Sequence, residues 1–96
     1  MKCVIFELDG VLRDAEGNAI AGNVALAKSL YSAGHDVLIM RAKHAHEWLR
    51  ANDVFYDDIM ASHQQIDADR VAMAVVSDDV IYAAMRNAGI HCWFYK

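Results

Sequence analysis

Proline is absent from all 96 residues, and glycine occurs only five times. No repeat and no Pro- or Gly-rich linker can be drawn on the chain. A basic excess is also missing. Thirteen acids against nine Lys and Arg leave a net charge of −4, so a large duplex footprint is not expected on electrostatic grounds. No run approaches the ~20 apolar residues that span a bilayer. The amino terminus turns acidic at Glu7 without the apolar core of a signal peptide, and the expected address is the cytoplasm. Cysteine is scarce: Cys3 and Cys92 stand inside apolar runs at opposite ends of the chain. Such thiols are expected to be reduced core residues rather than a disulfide.

What the chain does have is apolar content, 56% by residue type against 23% charged. That rules out disorder, because enough apolar surface is available to offset the entropy of ordering the backbone. At this length, residues 1–96 are expected to form one domain with a single compact core and short connections.

Cys3-Val4-Ile5-Phe6 is an unbroken apolar run, the pattern of a strand buried on both faces. Glu16-Gly17-Asn18 suits a tight turn. Asn23 is placed to cap a helix through Val24, Leu26, Ala27, Leu30 and Tyr31, with Gly34 ending it. Val37 to Met40 predicts a second strand, His44 to Ala51 a short helix, and Asp57 to Ala61 a brief third strand. Val71 to Val76 predicts a fourth strand. Ser77-Asp78-Asp79 then supplies the N-cap of a helix through Ile81, Ala84, Met85 and Ala88, ended by Gly89, and Ile90 to Tyr95 closes as a strand. Trp48 and Trp93 are expected as core anchors.

Apolar strands alternating with helices predict a three-layer, Rossmann-like α/β domain with a mostly parallel sheet of about four to five strands. One crossover departs from the scheme. Ser62 to Arg70 offers nine residues, fewer than the 10–12 or so that a helical crossover needs, so a loop or a single helical turn is expected there.

Ligands of open α/β sheets gather beyond the carboxyl ends of the strands. The residues just after the strands are Glu7 and Asp9, then Arg41 and Lys43, then Ser77, Asp78 and Asp79. Converging carboxylates of this kind suit Mg²⁺ with a substrate phosphate. The histidines suit no zinc set: His44 and His46 would point to different sides of a helix, and His35, His63 and His91 are expected at the surface or on strands.

Val4-Ile5-Phe6-Glu7-Leu8-Asp9-Gly10-Val11-Leu12 resembles the first motif of the haloacid dehalogenase (HAD) superfamily, in which a buried strand runs into Asp-x-Asp-Gly. Ala83 to Ile90 is similar to the helix after that family's fourth motif. The ending Gly89-Ile90-His91-Cys92-Trp93 faintly resembles the close of the phosphatase domain of phage-type polynucleotide kinases. The resemblance implies a Mg²⁺-dependent phosphatase, here without a cap domain. It puts Glu7 at the nucleophile position and Asp9 at the general acid/base, with Gly10, Arg41 and Lys43 near phosphate. The metal would fall to Glu7, Asp9, Asp78 and Asp79.

Three positions depart from the family pattern. Glu7 replaces the nucleophilic Asp, and its extra methylene moves the carboxylate by about an ångström, a misplacement that can cost on the order of 10²-fold in rate. Arg41 replaces a small hydroxyl. No clear counterpart exists for the phosphate-holding Lys, since no lysine occurs between Lys43 and Lys96. The fourth motif can be aligned as Ser77/Asp78 or Asp78/Asp79. Phosphoryl transfer depends on positioning and electrostatics, so the expected function is a degenerate, catalytically impaired phosphatase fold with a binding or regulatory role and a Mg²⁺ site weakened or lost. The alternative is an active phosphomonoesterase on small phosphoesters or nucleic-acid ends, with Glu7 as nucleophile. A nucleic-acid-binding module ranks last on charge. A protein partner or a homodimer covering an exposed sheet edge fits a chain this short.

Overall fold

A computed structural model describes residues 2–42, 44–61 and 66–95. The elements run β1 (Cys3–Glu7), α1 (Ala21–Ser32), β2 (Asp36–Met40), α2 (His46–Ala51), β3 (Asp58–Met60), β4 (Val71–Val76), α3 (Asp79–Asn87) and β5 (Cys92–Phe94). The strands form one sheet in the order β3-β2-β1-β4-β5, and every neighbouring pair is parallel. The result is a three-layer, Rossmann-like α/β fold, as the alternation of apolar strands and helices predicts.

Each sheet face buries its own apolar cluster, because side chains alternate along a strand. Val4 and Phe6 of β1 and Val37 and Ile39 of β2 pack under Val24 and Ala27 of α1 and Leu49 of α2. Ile5, Met40, Ala74 and Val76 face the other way, against Ile81 and Met85 of α3. Among the described residues of the β3–β4 connection, Ile66 and Ala68, the latter in a 3-10 turn over Ala68–Arg70, pack against that second face. Residues 62–65, His63 among them, lie outside the described residues.

Several local expectations hold. Asp14 Oδ1 accepts the N–H groups of Glu16 and Asn18, closing the turn at Glu16-Gly17-Asn18. At the end of α1 the N–H of Gly34 bonds Tyr31 and that of His35 bonds Leu30; after α3, Gly89 bonds Arg86 and Ile90 bonds Met85 in the same pattern. Both cysteines are free, with Cys92 buried and Cys3 half-buried.

Others need correction. Helix α1 starts at Ala21, so Asn23 is not its cap: it lies in the first turn, and its amide donates to the Val11 carbonyl at 2.8 Å. Leu26, two residues from Val24 and one from Ala27, falls off the buried stripe and is 40% exposed. Helix α2 begins at His46, while His44 precedes it at φ 66°. His46 instead pairs its Nδ1 with the Tyr56 hydroxyl at 2.6 Å. Trp48 is half-buried against the first cluster, but Trp93 is 66% exposed and anchors no core. It sits on an edge strand, on a face that no described helix covers at that end.

Candidate functional site

The chain leaves β1 to one side through β2 and β3, then returns to lay β4 on the other flank of β1. This reversal puts the carboxyl ends of β1 and β4 side by side, where such folds form a crevice. Glu7 ends β1, Arg41 follows β2, and Ser77 and Asp78 follow β4.

Glu7 is the one charged residue among the described residues that is buried, at 3% exposure. Burying a carboxylate is costly unless it is hydrogen-bonded or paired, and here it is both. Its Oε1 accepts the Ser77 N–H at 2.8 Å, and its Oε2 stands 3.7 Å from Arg41 Nη1. The Ser77 hydroxyl donates to the Asp9 carbonyl at 2.9 Å and lies 3.3 Å from Glu7 Oε1.

Arg41 turns into the crevice from an unusual backbone. Its φ is 59°, in the left-handed region that a non-glycine residue rarely adopts, and its N–H is held by the Met60 carbonyl at 2.8 Å. From there Nη1 also reaches Asp78 Oδ2 at 3.3 Å. Asp78 uses its other oxygen to cap α3, accepting the Val80 and Ile81 N–H groups at 2.9 and 3.1 Å. Those backbone N–H groups, first the one from Ile81, together with the Arg41 guanidinium hold the Asp78 carboxyl below the usual carboxylate range. One guanidinium thus spans the acids that end β1 and follow β4.

Asp9 lies at the rim and turns away. Its side chain is 66% exposed, and its Oδ1 takes Arg13 Nε at 2.6 Å. Arg13 lies over the Trp48 ring, whose indole N–H donates to the Gly17 carbonyl at 2.7 Å. Between them, residues 9–20 form a small flap, with isolated bridges joining Arg13 to Asp9 and to Ala19. Gly10, within this flap, has φ 86°, and an added Cβ there would stand 2.3 Å from Ser77 Oγ. Its presence is accounted for by that close approach. Asp79 is exposed in the first turn of α3. Lys43 lies outside the described residues.

The structure therefore brings Glu7, Arg41 and Asp78 together and leaves Asp9 and Asp79 outside that contact. Arg13 is absent from the sequence-derived set, although its i,i+4 spacing from Asp9 is a local signal. Ser77 belongs to that set by its place after β4, but its bridge between Glu7 and Asp9 is not legible in the sequence, because those partners lie 70 and 68 residues away. Among the described residues, no three His, Cys, Asp or Glu side chains gather closely enough to hold a metal ion. Nor is any helix among them long and apolar enough to cross a membrane. No family model matches the chain, and no curated protein matches it in sequence.

Proposed function

We propose that this chain is a degenerate HAD-like phosphatase fold, catalytically impaired, whose strand-end crevice serves to bind a protein partner. The observation that carries the reading is Arg41, which sits 3.7 Å from Glu7 and 3.3 Å from Asp78. On this reading the guanidinium stands where the resemblance implies a Mg²⁺ ion. The donor set supports it: Glu7 takes Ser77 and Arg41, Asp78 takes the α3 amides and Arg41, and Asp9 takes Arg13. An incoming Mg²⁺ has to displace Arg41 before it meets either inner carboxylate, so metal binding is weakened or lost. The left-handed backbone at Arg41 is a further support, because strain of about 1–3 kcal/mol persists only where the surroundings hold it in place.

Charge indicates the occupant. Among the described residues one cation, Arg41, faces two carboxylates, Glu7 and Asp78, so this cluster is net acidic. A basic segment of a partner protein suits it better than a phosphoester or a nucleic-acid end, although Arg41, half-exposed, could still reach a phosphate.

The test is Mg²⁺-dependent hydrolysis of p-nitrophenyl phosphate and of a nucleotide 3′-phosphate, by the chain and its Glu7→Asp and Asp9→Asn variants. No turnover by the chain and no rise of its Tm with Mg²⁺ are expected. Clear turnover that disappears in Asp9→Asn overturns the reading in favour of the active phosphomonoesterase.

A further inference from the structure

The uncovered end of the sheet beside α1 is apolar, and its shape suits one particular occupant. Helices α1 and α2 lie on the same face, and no described helix follows β5 to cover β4 and β5 there. Trp93 is the cross-strand partner of Val75, so both side chains point to this face. Leu26 of α1, Met73 and Val75 of β4, and Trp93 and Tyr95 line a cleft of about 430 Å³. Trp93 is 66% exposed, Leu26 40% and Tyr95 38%. Asn23 is the one polar residue in the described lining, and none of that lining is charged.

We propose that this cleft is the contact face of a homodimer, in which Trp93 of each copy enters the cleft of the other about a two-fold axis. The patch holds both a knob and a hole. Trp93 projects beside a cavity with room for an aromatic side chain, so a two-fold operation brings each tryptophan to the other's cleft, as an isologous contact requires. Charge points the same way. The chain carries a net charge of −4, so two copies repel over most approaches, and an uncharged patch is where they meet at the lowest electrostatic cost.

The cavity on the opposite face makes the contrast. Its described lining holds Asp36, Asp57 and Asp67 against one cation, Arg70, so like charges would oppose a second copy there. A buried aromatic residue contributes roughly 150–250 Å². The cleft therefore supplies less than the ~800 Å² per partner of a standard interface, and the dimer is expected to be weak and concentration-dependent. The inference is independent of the strand-end crevice.

Sedimentation equilibrium of the whole chain over about 5–500 µM tests it, since a weak interface dissociates within that range. The expected result is a mass rising from 10.7 kDa to twice that value. Trp93→Ser and Leu26→Lys should each weaken the dimer by about tenfold or more. Phe55→Ser, at an exposed aromatic residue elsewhere on the surface, should leave it unchanged. Far-UV circular dichroism confirms that each variant is folded, and Leu26→Lys decides the matter if Trp93→Ser is not. A monomer at every concentration overturns the inference, as does a dimer that survives both substitutions. Growth to larger multimers also overturns it, because that requires a contact that does not close on itself.

Discussion

The strand-end crevice and the cleft beside β5 lie at different sites on one sheet and are finished in opposite ways. In the crevice, polar groups answer one another within the chain: Glu7 with Ser77 and Arg41, Asp78 with the α3 amides, Asp9 with Arg13. In the cleft, apolar groups face solvent, with Trp93 two-thirds exposed. A ligand in the crevice must displace contacts that already exist. A partner at the cleft displaces only water, which is the favourable direction for apolar surface. The residues most suggestive of chemistry are therefore not where this surface is least satisfied.

The sharpest way to break the comparison is to disturb the packing that closes the crevice. Gly10→Ala puts a Cβ 2.3 Å from Ser77 Oγ at φ 86°. It is expected to cost on the order of 3 kcal/mol, lowering Tm by roughly 15 °C. Thermal unfolding followed by circular dichroism measures this. A variant that melts like the parent would mean the flap is not pressed against Ser77.

A second test asks whether β5 is firmly seated, so that the cleft is a formed surface rather than a frayed end. Cys92 lies on the opposite side of the same strand, packed with α3, and burial pushes its thiol up to about 11. From the ordinary value of 9.0 for such a thiol, that shift cuts the thiolate by about a hundredfold near pH 8. Alkylation of Cys92, followed by mass spectrometry, should be slower in the native chain than in urea by about that factor. Comparable rates in both would show that β5 frays.

The third test uses pH. The Asp78 carboxyl is held below its ordinary value of 3.8 by the α3 amides and Arg41. A depressed native pKa contributes stability that is present above 3.8 and is lost as pH falls through the lower native value. Urea denaturation at pH 7, 4 and 3 should show this loss, and Asp78→Ala should be less stable at pH 7 and flatter over the acidic range. An Asp78→Ala profile as steep as the parent's would separate Asp78 from the acid sensitivity. The smallest effect belongs to the cleft. Trp93→Ser should leave the stability of the dilute monomer within about 0.5 kcal/mol, as exposed positions do, and a larger loss in urea denaturation would show that Trp93 already serves its own chain.

Much of the fold is legible in residue order because its signals are short-range. Apolar runs such as Val71 to Val76 mark buried strands, Gly34 and Gly89 mark helix ends, and Asp78 two and three residues before Val80 and Ile81 marks a cap. Asn23 shows the limit. It has the chemistry of a cap, but the helix starts two residues earlier, and its amide satisfies Val11, a partner 12 residues away. Trp93 shows another. An apolar run reads the same on a central strand as on an edge strand with one bare face, so its exposure follows from sheet order and helix placement alone.

Residue order carries the alternation of strands and helices, the short third crossover and the set of charged residues that follow the strands. Each of these depends on neighbours within a few positions. Tertiary structure alone decided that Arg41 stands between Glu7 and Asp78, that Asp9 turns to Arg13, and that Trp93 projects beside an open cleft. Those outcomes depend on which strand ends lie side by side and which face each helix covers. Contacts between residues up to 70 positions apart become visible only when the sheet is assembled.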